Sequence, residues 1–257
     1  CARTKRLRLN RLLRIVVWNV QNAVHRDLKP VYVPREEVQT MAKYIVKYGR
    51  DDRVKFISHL DFVRCFHRAV RRSALNFEFS QGFNPHPVMT IAQPLPVCVT
   101  SESEYMKVGF VTDMSDDEIK DELNRSMPPG FTVYKVKRVE SKEIDLTKIN
   151  KAEYVTEIEC ETPCDIERLL AENELVVPKK TKSGIKDSDI RPHIFEIENL
   201  GFSDGVMTVS MIVSCGSDYN LKPQTVVDAA EKYIEGFVPT FSVSHRKQML
   251  IDKKEVM

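Results

Sequence analysis

No stretch of this sequence reaches the run of about 18 apolar residues that a membrane-spanning helix requires. The strongest candidate, LLRIVVWNV at 12–20, is short and broken by Arg14, so no membrane association is expected. Cysteine is sparse: the six, at 1, 65, 98, 160, 164 and 215, are scattered through otherwise patterned segments. Such scatter sets no disulfide framework, and a reducing cytoplasm is the expected compartment. The chain has no CxxxCxxC, hence no thiolate set for a 4Fe–4S cluster of the kind held by that spacing. Cys160 and Cys164 form a CxxxC without a second pair or a nearby histidine, too few ligands for a tetrahedral metal site. Neither a metal nor a cofactor is expected.

An excess of one charge is also lacking overall, since 39 Lys and Arg face 37 Asp and Glu. That balance hides an asymmetry. Residues 1–40 carry nine basic and three acidic residues, which leaves 30 against 34 for residues 41–257. The chain opens on Cys, and regular patterning starts only at Met41. The basic segment 1–40 is therefore read as a tail, a piece of another domain or a non-native start, and no function is assigned to it.

What is present from Met41 onward is a repeated grammar. AKYIVKYG alternates as a strand does, and SHLDFVRCFHRAVRRS has helical spacing, with Ser58 as N-cap and Asp61 three residues on. Strands fit FEFS (77–80), VMTIAQ (88–93) and SEYMKVGFV (103–111). A second helix opens at Ser115 with Asp116, Asp117 and Glu118 in its first turn and stops at MPPG, before the strand FTVYKVKRVE. The order then recurs: strand AEYVTEIECE, helix CDIERLLAEN, strands ELVVPK and IFEIENLGFSDGVMTVSMIV, helix KPQTVVDAAEKYIEG, strand TFSVSHRKQML. The fold class expected is α+β, two tandem ferredoxin-like (βαββαβ) halves at 41–140 and 150–257, joined near Ser141–Asn150.

In the first helix, a rotation of about 100° per residue groups Phe62, Val63, Phe66, Ala69 and Val70 on one arc. Arg64, Arg68, Arg71 and Arg72 fall on the other, opposed only by Asp61. A solvated face of a packed helix explains such a stripe as well as a binding role does. Its concentration in a net negative region favours contact with phosphate or carboxylate, which guanidinium forks bind bidentately. The turn FSQGFNPHP adds Ser80, Gln81, Asn84 and His86 as hydrogen-bonding groups around Phe83, more polar groups than a structural turn needs. His59, in the first turn of the helix, is read as a packed histidine or a site residue.

Three segments, RVKFISHLDFVRCFHRAVRRS, FSQGFNPHPVMTIAQPLPV and SESEYMKV, resemble the bacterial radical-SAM-linked protein family, also known as a domain of unknown function. DIRPHI (189–194) and CGSDYNLKP (215–223) resemble it as well. The resemblance runs from about Met41 to the C-terminus, and residues 1–40 match nothing in it. Family members stand alone or follow a cobalamin-type radical SAM domain. The resemblance implies a radical SAM protein as partner, and the missing CxxxCxxC makes this chain the accessory part.

The function expected is a binding module for RNA, tRNA or rRNA. Lys55, Arg64, Arg68, Arg71 and Arg72 would meet phosphate, and Phe83 with Asn84 a base, assisted by His59, Asp61, Ser80, Gln81 and His86. The stretch PKKTKSGIKDSDIRP, read as a loop, would add Lys182 and Arg191 with Lys179, Lys180 and Lys186. One alternative is a metal-independent endoribonuclease using His59 and His86 as acid and base, a reading that rests on fold analogy. Another is a protein-interaction subunit, to which exposed acids such as Glu157, Glu159, Glu161 and Glu172 would suit.

Overall fold

The computed structural model describes residues 41–139, 144–181, 184–252 and 254–257, without the side chains of 179–181. The basic segment 1–40 and Lys182 lie outside the described residues.

Met41–Arg50 forms β1, which hydrogen-bonds β4 (Val99–Val111) on one side and β5 (Phe131–Val139) on the other, both antiparallel. Its alternation puts Tyr44, Val46 and Tyr48 on one face and Ile45 on the other, and all four are buried. On the first face α1 (His59–Arg72) and α2 (Asp116–Ser126) cover the sheet, packing Phe62, Phe66, Ile119 and Leu123 against Met106, Val108 and Phe110. The other face carries a smaller cluster of Ile45, Tyr105, Leu146, Ile149, Met249 and Val256. Two short strands, β2 (Asn76–Phe77) and β3 (Met89–Ile91), pair with β4.

The second half repeats this order. β6 (Lys151–Cys160) lies between β11 (Pro239–Ile251) and β10 (Val206–Ser214), and β9 (Ile194–Ser203) closes the edge. The Ser203–Val206 turn carries Asp204 and Gly205 at positive φ, as a tight hairpin demands. α3 (Pro223–Tyr233) covers its core through Val226, Val227, Ala229 and Ala230. The halves fuse into one ten-stranded sheet because Ser244–Arg246 of β11 runs parallel to Val99–Ser101 of β4. The architecture is thus mixed α+β, with a large, mostly antiparallel sheet and few helices.

At that seam Arg246 is fully buried. Its guanidinium donates from Nη1 to Glu104 Oε1 at 2.9 Å and from Nε to the Tyr154 hydroxyl at 2.9 Å. Burial, the largest influence, opposes the charge on Arg246, but Glu104, Tyr154 and Cys215 together outweigh it and raise its pKa, so the guanidinium stays ionised.

The second half departs from the expected elements in two places. CDIERLLAEN is not an α-helix but a six-residue 3-10 turn, Ile166–Ala171, whose N-cap Asp165 makes no capping hydrogen bond. A short segment with no cap gains too little to complete a longer helix. The lysine stretch is not a loop: β7 (Val176–Thr181) and β8 (Gly184–Asp189) form a separate two-stranded hairpin. No helix among the described residues is long and apolar enough to cross a membrane.

Candidate functional site

Ser58 starts α1 by accepting the Asp61 amide at 3.2 Å and donating its hydroxyl to the Asp61 carboxylate at 2.8 Å. The Ser58 hydroxyl, then Arg64, holds the Asp61 carboxyl below the usual range. Phe62, Phe66, Ala69 and Val70 are buried, and the four arginines are exposed, as the helical arcs require. The arginines differ in what they hold. Arg64 pairs with Asp61 at 3.1 Å, and Arg72 donates to the Ser126 carbonyl at 2.8 Å, closing the C-terminus of α2. The side chains of Arg68 and Arg71 have no hydrogen bond or ion pair among the described residues.

The turn 79–87 is closed at its base by a bridge between Phe79 and Pro87. Above it the Ser80 hydroxyl accepts the His86 amide at 3.1 Å and sits 2.9 Å from His86 Nδ1. Gln81, Phe83 and Asn84 project from the tip, and Phe83 is fully exposed. Gly82, at φ 137°, supplies the conformation that side chains resist.

α1 and the base of this turn border a cavity of about 250 Å³, lined by His67, Arg71, Ser73, Phe77, Phe79 and Pro87. His67 is the residue that sequence reasoning missed. Its Nε2 lies 3.1 Å from Met89 Sδ, and its ring meets Phe77 edge-on at 5.3 Å. Burial, then Arg71, pushes its pKa down. The signal was available: at about 100° per residue His67 falls on the border between Val70 and Arg71, where a helix turns from core to surface.

The remaining candidates stand apart. Lys55 pairs with Asp52 at 2.9 Å and lines a different cavity, with Cys98, Thr100 and His245. Half-buried His59 opens α1, whereas the hydrogen bonds of His86 stay within its own turn. Arg191 is structural: Nη2 and Nε donate to the Leu170 carbonyl at 2.6 and 3.2 Å, and Nη1 donates to Ile194 O at 3.0 Å. The site therefore comprises two unpaired guanidiniums and a row of aromatic edges, a chemistry suited to an anion attached to a flat ring.

Fold and site define a mixed α+β protein with a cationic, aromatic-edged surface. The chain belongs to the family described as "uncharacterized protein conserved in bacteria" (DUF2344), whose model matches residues 43–223. No curated protein matches it. Among solved structures it is similar to a chain of a Cbf5-Nop10-Gar1 complex at 9% identity and TM-score 0.46, over 80% of this chain and 48% of that one. It is also similar to an unknown protein from Galdieria sulphuraria at 16% identity and TM-score 0.25, over 80% and 99%. The chain thus spans about half the length of the first of these.

Proposed function

We propose that this protein is an RNA-binding accessory module, built from two ferredoxin-like halves, that serves a radical SAM enzyme. The observation that carries the binding role is the cavity shared by unpartnered Arg71 and the turn base at Phe79 and Pro87, with unpartnered Arg68 exposed on the same helix and Phe83 exposed at the tip of that turn. Guanidiniums with no internal carboxylate are available to phosphates, and an aromatic ring with no internal neighbour is available to an unstacked base. Strand order supports the ferredoxin-like reading, because each half places its fourth strand beside its first and its third beyond. The radical SAM link rests on the resemblance of the α1, turn and β4 motifs.

Filter binding of the full chain to total RNA from a bacterial host, across a salt series, tests this. Replacing Arg68 and Arg71 together by Ala should weaken binding and flatten the salt dependence by roughly 0.7 to 0.9 in log–log slope per lost contact. Phe83→Ala should weaken binding at every salt concentration. Absent or salt-independent RNA binding rejects the RNA reading and favours a protein partner, for which exposed Phe56 and Leu60 offer apolar contacts. Metal-independent cleavage abolished by His59→Ala or His86→Ala would instead identify an endoribonuclease.

A further inference from the structure

The motifs DIRPHI and CGSDYNLKP play no part in the α1 site, yet the fold brings them together at the opposite half. The His193 and Tyr219 rings stack with centroids 3.4 Å apart and planes within 2°. Each is pinned at its outer edge: His193 Nδ1 lies 3.0 Å from the Ser214 hydroxyl, and the Tyr219 hydroxyl 3.2 Å from that of Ser188. The turn bearing Tyr219 rests on the chain entering β6, where a Cβ on Gly216 would come within 2.8 Å of the Ile149 carbonyl. These contacts fix a flat aromatic wall before any ligand arrives.

The wall borders an open pocket of about 500 Å³, well within the range of small-molecule sites. Phe195 adds a second ring, with Lys151 Nζ 4.0 Å above its centroid. Lys148 and Asp218 also line the pocket, and the side chain of neither has a hydrogen bond or ion pair among the described residues. Two ammonium groups without a carboxylate partner, a flat wall and a carboxylate with unused acceptors thus surround one space. A phosphate answers the lysines, a planar heterocycle the rings, and a vicinal diol the carboxylate.

We infer that this pocket binds a nucleoside 5′-phosphate, with its phosphate on Lys148 and Lys151, its base against the aromatic rings and its ribose hydroxyls donating to Asp218. The unit is either a free nucleotide or one residue of a single strand. This goes beyond the RNA-binding reading of α1 and does not depend on it.

Calorimetric titration of the full chain with AMP, GMP, CMP and UMP, and separately with a single-stranded oligonucleotide, tests the inference. At least one probe should bind, with adenosine and ribose 5-phosphate each weaker than AMP if AMP is that probe. Lys148→Ala with Lys151→Ala should weaken the phosphate-bearing probe roughly tenfold while sparing adenosine, because only the charge-assisted contacts are lost. Phe195→Ala should weaken both, and Arg68→Ala with Arg71→Ala should leave the mononucleotides unaffected. Binding of mononucleotides identifies the free compound as the source, and binding of the oligonucleotide alone, lost in the lysine variant, identifies the strand. Each variant is checked for an unchanged unfolding midpoint. No saturation by any probe up to about 1 mM, or binding indifferent to both the lysine and Phe195 changes, overturns the inference.

Discussion

The two halves of the sheet share a strand order and differ in what covers it. In the first, α1 and α2 are full helices, each started by a serine, and the Ser115–Glu118 pair at α2 is a complete capping box. In the second, the position of the first helix holds a six-residue 3-10 turn, α3 starts at Lys222 without a side-chain cap, and a two-stranded hairpin is inserted. The unpaired arginines lie on the helix of the first half, whereas the aromatic wall lies on turns of the second. Ladder hydrogen bonds and buried alternation hold the scaffold in both, which leaves the covering elements to shorten and to acquire separate chemistries.

The comparison breaks hardest at the seam. Glu104→Ala leaves Arg246 charged and unpaired in the interior and should cost about 3–5 kcal/mol in urea unfolding, whereas Glu104→Leu with Arg246→Met should recover most of that. A loss below about 1 kcal/mol would show that the halves do not rely on this pair. Two resolved transitions in Glu104→Ala would show that the pair had made them one cooperative unit. Gly216→Ala, which must displace the Ile149 carbonyl, should destabilise the chain by about 1–3 kcal/mol and act on the second half alone, as hydrogen exchange can map.

The caps separate the halves more finely. Ser115→Ala should cost about 1 kcal/mol, while Lys222→Ser, which supplies the missing cap to α3, should stabilise by about 0.5–1 kcal/mol. If Lys222→Ser has no effect, the contrast in capping is incidental. The smallest effect concerns pH. Burial depresses the folded-state pKa of His67 in the first half and His245 at the seam. The unfolded chain therefore binds more protons below its ordinary histidine pKa of about 6.5. Stability should be fully present above that pH and decline as the solution is acidified through the depressed values. His67→Gln and His245→Gln should each remove part of that slope in unfolding midpoints measured from pH 7.5 to 5, ordinary buffer values spanning the histidine range.

Much of the first half was legible in the sequence because its signals are local. Ser58 and Ser115 announce helix starts through side chains that reach amides three residues away, and the arcs of α1 follow from helical rotation alone. The second half is less legible where no local signal decides. CDIERLLAEN has helical composition but no cap, and the lysine stretch, whose polarity suggests a loop, pairs with itself as two strands. Arg72 and Arg191 look like surface cations in sequence, yet each donates to a carbonyl near the end of a distant helical element, Ser126 of α2 and Leu170 of the 3-10 turn.

By itself the sequence determined the α+β alternation, the apolar and basic faces of α1 and the rigid turn at 79–87, since periodicity, capping and Gly/Pro geometry act over a few residues. Only the tertiary structure decided that Arg246 would find Glu104 and Tyr154, 142 and 92 positions away, and that His193 would lie flat on Tyr219. Those contacts arise from strand register and from the parallel β4–β11 seam. Register is settled by which buried faces meet across the whole sheet, a property that no short stretch of chain carries.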